Sequence, residues 1–432
     1  MTVVIGAGSG GLTVALGLAR LGRKVTLIEG GPVGGDCTNT GCIPSKSLIH
    51  LARQGRPAGE ALAEVRRKRA ELSSRETELL HGTPNLTLVR GWARFVEPYV
   101  LDVQGKRIES REIVIATGSR PALLEIPGLP PERTFTNENL FSMETAPEHL
   151  VIVGGGVIAL EMAFAFRRLG SQVTLLVRSD RLLSRESARV SPAMLGALER
   201  SGIRVNFKTR PFLYADGLLK LRPEGELSGV DAVLLAVGRL PRLEGLDIDR
   251  AGLVPGPEGL AVDDWCRTDI KGIYAVGDVT APSRFTHSAN AQGRRVVQKI
   301  ALGWLPFGAP AWVIPSAVFS EPELASVRLA RPASGRRTLC LQLNELDRGY
   351  TDDLAEGFLE LEVEPWTGRL QAATLVAPNA SEMISLFTLA MVERISLYRL
   401  QRLVYPYPTL SEATHRLADE FVRERAKRWF KV

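Results

Sequence analysis

The pattern of apolar and polar residues along the chain predicts a strand–helix–strand unit that occurs twice. A short apolar run at 3–5 is followed by a glycine-rich segment, a helix with apolar periodicity to about Leu21 and a second apolar run at 24–28. The same order returns between 150 and 177. Short apolar runs that alternate with amphipathic helices are typical of buried strands in a parallel sheet. The sequence therefore predicts an α/β fold with two doubly wound units.

The last third of the chain has a different pattern. Four predicted strands come first and two predicted helices follow, at about 324–330, 337–343, 357–364, 370–377, 380–395 and 411–430. Strands grouped ahead of helices predict a separate α+β domain. The expected domains are 1–140, 141–264, a returning segment 265–323, and 324–432.

The composition is that of a globular enzyme with two or three domains. The chain has 432 residues, of which 45% are hydrophobic and 24% charged, and no apolar run reaches membrane-spanning length. Its net charge of +6 is modest and its arginines are scattered, so we expect no nucleic-acid groove. The first strand begins almost at Met1, which leaves no room for a targeting peptide. With four cysteines, this predicts a cytoplasmic protein.

The first unit carries a dinucleotide-binding fingerprint between its strand and its helix. Gly6, Gly8 and Gly11 have the spacing that allows a tight turn, close approach of a pyrophosphate and packing of the helix on the strand. Glu29 follows Gly11 by 18 residues, where its carboxylate can accept hydrogen bonds from a ribose. This combination predicts a bound dinucleotide.

The second unit carries a related fingerprint with a different charge. Small residues stand at the corresponding positions: Gly154, Gly156 and Ala159. Val177 occupies the place of the acid, and three arginines follow it: Arg178, Arg181 and Arg185. Guanidinium groups suit a 2′-phosphate, so this segment favours NADPH. NADH remains open, because Asp180 is near and the arginines can also be a solvated helix start.

A loop with two cysteines follows the second strand of the first unit. Cys37 and Cys42 are separated by four residues, and Pro44 suits the first turn of a helix that places Cys42 at its N-terminus, where a thiolate is favoured. Such a pair can close a small disulfide ring or open to a dithiol. The alternatives are two unrelated buried thiols or half of a zinc site. Cys266 and Cys340 are distant and no histidines are paired, so the flanking motifs favour the redox pair.

Three further strands end in small-residue turns that would let the backbone approach a cofactor. These turns contain Thr117 and Gly118, then Gly238, then Gly277 and Asp278. Asp278 is well placed for the hydroxyl groups of a ribityl chain.

In combination these motifs resemble the class I pyridine nucleotide–disulfide oxidoreductases, the family of glutathione reductase, dihydrolipoamide dehydrogenase and mercuric reductase. The resemblance runs from Val3 to about His415. It implies two Rossmann-like domains for FAD and NAD(P)H and a C-terminal α+β dimerisation domain, assembled as a head-to-tail homodimer. It also implies that Cys42 lies nearer the flavin and that Cys37 faces the electron acceptor.

The resemblance implies roles for the remaining site residues. Glu29 would bind the adenosine ribose of FAD, and Lys46 would pair with Glu161 near the flavin. FAD contacts are expected from Gly6, Gly8, Gly11, Glu29, Lys46, Ala93, Thr117, Gly118, Gly277 and Asp278. NADPH contacts are expected from Gly154, Gly156, Ala159, Arg178, Arg185 and Gly238. No structural metal is expected.

The C-terminal segment departs from the disulfide-reducing members of that family. Their acid–base histidine is replaced by Tyr407, which we expect to line the acceptor site with Glu412 from the partner subunit. A tyrosine titrates near a pKa of about 10, which makes it a poor proton shuttle at neutral pH. His415 is expected on a helix surface. Tyrosine at this position resembles mercuric reductase, although the pair of adjacent C-terminal cysteines of that enzyme is missing.

We therefore predict an FAD enzyme that passes electrons from NADPH through Cys37 and Cys42 to an acceptor. That acceptor is Hg(II), which both cysteines would bind as a substrate, or another thiophilic metal, or a small disulfide. A quinone or oxygen reductase that bypasses the cysteines is the alternative enzyme. A flavin-holding redox sensor without turnover is the alternative from a different class.

Overall fold

The structure is a computed structural model that describes residues 1–280, 284–303, 312–330, 332 and 335–430, with the backbone alone at 428–430. The chain forms two compact units. The first comprises Met1–Gly154, Arg168–Gln172 and Pro211–Pro310, and the second comprises Gly155–Arg167, Val173–Arg210 and Ala311–Val432. The four domain segments expected from the sequence remain a prediction.

The secondary structure follows the chain in three stretches. The first contains β1 Thr2–Ile5, α1 Ser9–Arg20, β2 Val25–Glu29, α2 Gly35–Asn39, α3 Cys42–Arg53, α4 Ala58–His81, β3 Leu86–Arg90, β4 Ala93–Glu97, β5 Val100–Val103, β6 Lys106–Glu109, β7 Ile113–Ile115, β8 Ser119–Pro121 and β9 Thr134–Phe135. The second contains β10 His149–Val153, α5 Val157–Arg168, β11 Gln172–Val177, α6 Val190–Arg200, β12 Arg204–Phe207, β13 Arg210–Ala215, β14 Leu218–Arg222, β15 Glu226–Leu227, β16 Ala232–Leu235, β17 Arg239–Pro241, β18 Ile273–Ala275 and α7 Thr286–Leu302. The third contains β19 Ser316–Val318, β20 Glu323–Arg328, β21 Arg337–Gln342, α8 Asp347–Thr351, β22 Phe358–Val363, β23 Leu370–Ala377, α9 Ala380–Val392, α10 Leu397–Leu400 and α11 Glu412–Phe430.

The first unit is built on a parallel sheet with the strand order β18-β7-β1-β2-β3. Val4 at its centre pairs with Leu27 on one side and with Val114 on the other, and all three side chains are fully buried. Burial on both faces explains why these strands are continuous apolar runs in the sequence. The carboxyl ends of β1, β2, β7 and β18 meet at one edge, so the predicted FAD segments after these strands come together there.

Helices α1 and α7 pack closely because glycine stands in their contact. A Cβ atom added at Gly17 of α1 would lie 2.7 Å from a side-chain carbon of Val297, and one added at Gly293 of α7 would lie 2.9 Å from a side-chain carbon of Thr13. Small residues therefore let α7 approach α1. This contact brings the N-termini of both helices to the same edge of the sheet.

The predicted second fingerprint also lies among parallel strands. In the first unit β10 pairs with β16, and β16 pairs with β9. In the second unit β11 pairs with β12 in parallel register. The second unit also contains a five-stranded antiparallel sheet with the order β19-β20-β23-β22-β21. The α/β architecture with a C-terminal α+β domain is therefore confirmed, including all four strands expected in that domain.

One predicted helix is too long. The sequence pattern extends it to about 395, but α9 ends at Val392 and Arg394 has a left-handed backbone with φ of +52°. That conformation stops the helix and lets Leu397 begin α10, where it is fully buried in the core. Among the described residues, no helix is long and apolar enough to cross a membrane.

Candidate active site

The two cysteines lie on two consecutive short segments that the loop brings into contact. Cys37 is in α2, and Cys42 is the first residue of α3 with Pro44 in its first turn, as predicted. Both are free thiols, and Cys37 is hydrogen-bonded to Cys42. Gly41 makes this possible because a Cβ atom there would lie 2.8 Å from the carbonyl oxygen of Asp36. Among the described residues, no group of three or more His, Cys, Asp or Glu lies together in a way that could hold a metal ion.

The contact between the thiols controls their protons. The hydrogen bond to Cys42, burial and the negative charge on Cys42 together raise the pKa of Cys37 well above its ordinary value. The hydroxyl groups of Thr286 and Ser9 hydrogen-bond to Cys37 and oppose this rise. Cys37 therefore keeps its proton at neutral pH, and the pair holds at most one negative charge there.

Three helices begin at this pair of thiols. Ser9 opens α1, Cys42 opens α3 and Thr286 opens α7, and the Sγ of Cys42 lies 3.4 Å from the Oγ1 of Thr286. The positive ends of three helix dipoles thus favour negative charge at the same place. The sequence reading identified Cys42 but missed Ser9 and Thr286, because only the tertiary fold brings these helices together.

The first fingerprint forms a tight cradle at the edge of the sheet. A Cβ atom at Gly6 would lie 2.4 Å from the Ala116 oxygen, and one at Gly11 would lie 1.9 Å from the Gly6 oxygen. Glu29 accepts hydrogen bonds from the backbone N–H groups of Ala7 and Gly31, each at 2.6 Å. The carboxylate predicted to bind a ribose is thereby held in place.

The residues at this edge fit a flavin dinucleotide. Helix α1 has no side-chain cap at Gly8, so the N–H groups of its first turn are available to a phosphate. A Cβ atom added at Gly118 would meet no atom within 4 Å, so open space adjoins the backbone there. Ala93, which was predicted to contact FAD, is buried in β4. The preceding residue, Trp92, is exposed, and its ring lies against Gly30.

Asp278 lies at the same edge in a network that the sequence did not reveal. It accepts a hydrogen bond from Ser119 Oγ at 2.6 Å and lies 3.8 Å from the Nε of Arg239. Burial raises the pKa of Asp278, and the contacts with Ser119 and Arg239 oppose this rise. Thr117 donates to the carbonyl oxygen of Arg242 at 2.7 Å, so its hydroxyl holds the loop after β17. The neighbouring Gly277 has φ of +79°.

The glycines that follow β10 and β16 differ in how much space surrounds them. A Cβ atom at Gly154 would lie 2.4 Å from the Ala236 oxygen, whereas one at Gly156 or Gly238 would meet no atom within 4 Å. Ala159 is fully buried. The open glycines leave room for a ligand to approach the backbone.

Of the three arginines after β11, two remain exposed and one is used within the fold. Arg181 donates to the carbonyl oxygens of Glu186 and Ser187 at 2.7 and 3.1 Å. Arg178 and Arg185 are exposed. The sequence reading missed a further cation, Lys208, whose backbone N–H donates to the carbonyl oxygen of Ser179 at 3.1 Å. Parallel pairing of β11 with β12 places Lys208 beside the residue that follows Arg178.

The C-terminal residues lie in the second unit. Tyr407 is 73% exposed and donates to Asp347 Oδ2 at 2.8 Å. Glu412 begins α11 and accepts from Arg416 Nε at 3.0 Å, while its Oε2 is buried without a hydrogen-bond partner among the described residues. His415 lies on α11 as expected and is half-buried, with its Nδ1 enclosed and its ring centroid 6.0 Å from that of Tyr405.

Glu161 is buried in α5, where its Oε1 accepts the N–H of Phe319 at 3.1 Å. Lys46 is half-buried in α3. The expected pairing of these two residues remains a prediction.

The chain has extensive similarity to known proteins. Residues 1–293 match the family model of pyridine nucleotide-disulphide oxidoreductases, and residues 314–418 match the model of their dimerisation domain. A mercuric reductase from Shigella flexneri is 34% identical, with 98% of this chain and 80% of the relative covered. Dihydrolipoyl dehydrogenase 3 from Pseudomonas aeruginosa is 32% identical, with 96% of both covered. The Cu(II) complex of the HOCl-induced flavoprotein disulfide reductase RclA from Escherichia coli has a TM-score of 0.89 at 27% identity, with 97% of this chain and 99% of that chain covered.

Proposed function

The chain belongs to the pyridine nucleotide-disulphide oxidoreductases, and we propose that it is an FAD enzyme reducing a thiophilic acceptor with NADPH through Cys37 and Cys42. Hg(II) is the acceptor that we place first. The proposal includes a cytoplasmic location, where NADPH and reducing conditions are found, and a head-to-tail homodimer in which the partner subunit completes the acceptor site.

The observation that carries this proposal is the contact between Cys37 and Cys42 at the N-termini of three helices. FAD, when bound, supplies the transfer of two electrons from the nicotinamide to the cysteine pair. Cys42 is the cysteine whose thiolate is favoured by the dipole of its own helix. Cys37 is the cysteine that keeps its proton until an acceptor arrives. Two soft sulfur ligands at this spacing suit a soft metal ion.

The electron balance differs between the acceptors. NADPH gives up a hydride, which is two electrons and one proton. Hg(II) takes both electrons to become Hg(0), and the proton goes to solvent. A disulfide takes the two electrons and two protons, one of which comes from solvent, and becomes two thiols.

Tyr407 favours the metal ion over a disulfide. The hydrogen bond that Tyr407 donates to Asp347 and the negative charge of the Asp347 carboxylate raise the pKa of Tyr407 above the ordinary value. The hydroxyl is therefore protonated at neutral pH and cannot relay protons to and from thiols in the way a histidine does. Reduction of a metal ion needs no such proton relay, because the reduced metal takes up no proton.

A small disulfide remains the second candidate, since a dihydrolipoyl dehydrogenase is similar over almost the whole chain. Cu(II) is also a candidate metal, because the structurally similar RclA is described as a Cu(II) complex. Both belong in the same assay as Hg(II).

The test is anaerobic NADPH oxidation by the purified flavoprotein with Hg(II), Cu(II), oxidised glutathione or a quinone. We expect Hg(II)-dependent turnover in the native protein, loss of this turnover in Cys42→Ser with FAD retained, and normal turnover in the control Cys340→Ser. Full turnover in Cys42→Ser would overturn the dithiol mechanism. Equal quinone turnover in the native protein and in a Cys37→Ser/Cys42→Ser variant would favour a quinone reductase. Reduction of the flavin without turnover of any acceptor would favour a sensor.

A further inference from the structure

Asp36 stands immediately before Cys37 and forms an ion pair with Arg239. The two residues are 203 positions apart in sequence. Arg239 is the first residue of β17, and the antiparallel pairing of β17 with β8 anchors its backbone. The segment that carries Cys37 is therefore tied to a rigid strand pair outside the cysteine loop.

Arg239 is held in a single orientation by several acceptors. Its Nε donates to Ser119 Oγ at 2.7 Å, its Nη1 to Asn137 Oδ1 at 3.1 Å, and its Nη2 to the Ser119 carbonyl oxygen at 3.1 Å. Its side chain is 16% exposed. A planar guanidinium with this many partners has little freedom to rotate.

A second arm of the same network reaches the other side of the cysteine loop. Asn137 is buried, and its Nδ2 donates to the carbonyl oxygen of Thr40 at 3.3 Å. The hydroxyl of Thr40 in turn donates to Asp36 Oδ1 at 3.4 Å. Asp36, Thr40, Asn137 and Arg239 thus form a closed ring of contacts, which we call the clamp. The clamp holds both ends of segment 36–40, which contains Cys37 and leads to Cys42.

Other charged groups contact this segment from α4 and from the sheet edge. Glu76 accepts from Thr38 Oγ1 at 3.1 Å, and Arg69 donates to the carbonyl oxygen of Asn39 at 3.3 Å. Asp278 faces Arg239 from the sheet edge, with its Oδ2 3.8 Å from the Nε of Arg239. These contacts support the segment, but Arg239 bears the direct charge contact to the residue beside Cys37.

We propose that the clamp holds the sulfur atoms of Cys37 and Cys42 together and so determines how readily the pair closes to a disulfide. This inference rests on the proposed function, because it requires a redox-active pair. Closure against oxidised glutathione forms one S–S bond within the protein, and the two electrons and two protons of the thiols convert the reagent to two reduced glutathione molecules. Holding both thiols in contact raises their effective concentration and therefore favours closure.

Charge alone would have a different consequence. Loss of the Asp36 carboxylate would leave Arg239 unopposed and favour thiolates, which disfavours closure. Loss of Arg239 would leave Asp36 unopposed and disfavour thiolates, which favours closure. If the pair acted only through charge, the two single variants would shift the equilibrium in opposite directions. A clamp makes both variants shift it in the same direction.

The experiment equilibrates the holoprotein with glutathione buffers of graded ratio, traps thiols by alkylation and measures the Cys37–Cys42 disulfide by mass spectrometry. The variants are Asp36→Asn, Arg239→Gln, their double variant and Asn137→Ala, which removes the second arm and one acceptor of Arg239 but leaves both charges of the ion pair in place. Glu64→Gln is the control, since it removes an exposed ion pair with Arg67 in α4. FAD absorbance and the unfolding temperature check that each variant is folded.

We expect each of the three single clamp variants to lower the equilibrium constant for closure by about tenfold. In the double variant this constant should be no lower than in the more strongly affected of its two single variants, because both substitutions break the same contact. Opposite shifts in Asp36→Asn and Arg239→Gln, or unchanged constants in Asp36→Asn and Asn137→Ala, would overturn the clamp and leave the proposed function standing. If Arg239→Gln does not fold, the other two variants decide. A native protein that forms no Cys37–Cys42 disulfide at any ratio would overturn both proposals.

Discussion

At position 407 the chain has a tyrosine where the family resemblance led us to expect an acid–base histidine, and Asp347 accepts its hydrogen bond. The hydrogen bond from Tyr407 Oη to Asp347 Oδ2 stabilises the protonated phenol, and the nearby carboxylate opposes ionisation. At neutral pH the single O–H of Tyr407 is therefore donated to Asp347, and the protonated phenol cannot remove a proton from a thiol. Asp347 gives no signal in the sequence, since it lies 60 residues away in an ordinary acidic segment.

We expect Asp347→Asn to lower the pKa of Tyr407 towards the ordinary value of about 10, because it removes the carboxylate that favours the protonated phenol. The measurement is tyrosinate absorbance as pH rises, with Tyr407→Phe subtracted to isolate one residue. Asp352→Asn, at the residue that follows α8, is the control, because Asp352 pairs with Arg348 instead. An unchanged titration in Asp347→Asn would contradict the assignment.

The sequence predicts the position of a residue within a motif better than it predicts the exposure of a side chain. Cys42 lies at a helix N-terminus as the Pro44 signal indicated. His415 was expected on a surface, yet its Nδ1 is enclosed against Tyr405. A motif encodes local geometry, whereas exposure depends on which element packs above the residue.

At the scale of elements, the turn between β1 and α1 has no room for a side chain. We expect Gly11→Ala to destabilise the protein by about 1–3 kcal/mol and to release FAD, because its Cβ atom would lie 1.9 Å from the Gly6 oxygen. Gly59→Ala is the matched control, since its Cβ atom in α4 would meet its nearest atom at 3.6 Å. That variant should gain about 0.5–1 kcal/mol from helix propensity. Unfolding temperature and FAD content are the measurements, and equal behaviour of the two variants would contradict this account.

The ends of β11 and β12 carry the residues that we expect to select the nicotinamide nucleotide. Lys208 has a left-handed backbone with φ of +54°, and its N–H contact with Ser179 places it beside Arg178. A lysine held in this conformation next to an exposed arginine suits a 2′-phosphate.

We therefore expect Lys208→Met to lower kcat/KM for NADPH by about tenfold or more, because a charge-assisted hydrogen bond is lost, while kcat/KM for NADH is unchanged. The two nucleotides are compared at low ionic strength, and Lys220→Met on β14 serves as the exposed-lysine control. An equal loss with both nucleotides would show that Lys208 does not contact the 2′-phosphate.

At the scale of the whole molecule, we expect exposed apolar residues of the second unit to face a second copy of the chain. Leu389 and Val392 project from α9, and Val404 is 97% exposed three residues before Tyr407. Residues 314–418 match a dimerisation domain, which is the reason that we expect these apolar residues to contact a second copy. Tyr407 would then reach the acceptor site only from the partner subunit.

We expect Val404→Glu combined with Leu389→Glu to convert the dimer to monomers and to abolish turnover of the acceptor while FAD stays bound. Buried carboxylates at an apolar interface carry a large desolvation cost, which explains the expected dissociation. Light scattering after size exclusion measures the mass, and Val254→Glu, at an exposed apolar position in the first unit, is the control. A monomer with full acceptor turnover would contradict a shared site.

The sequence by itself determined the two parallel α/β units, the strands of the C-terminal domain, the cysteine pair and the glycine turns. Each of these is encoded in a short segment, because apolar periodicity, glycine spacing and helix start signals act over a few residues. The family resemblance added the cofactors and the roles of Lys46 and Glu161, which remain predictions.

The tertiary structure alone decided which distant residues meet at the cysteines. The parallel sheet brings the carboxyl ends of four strands to one edge, and the glycines of α1 admit α7, so Ser9 and Thr286 reach Cys37 and Cys42. The same packing joins Asp36 to Arg239 across 203 residues. Such contacts depend on the relative placement of whole elements, and a single sequence carries no local signal for them.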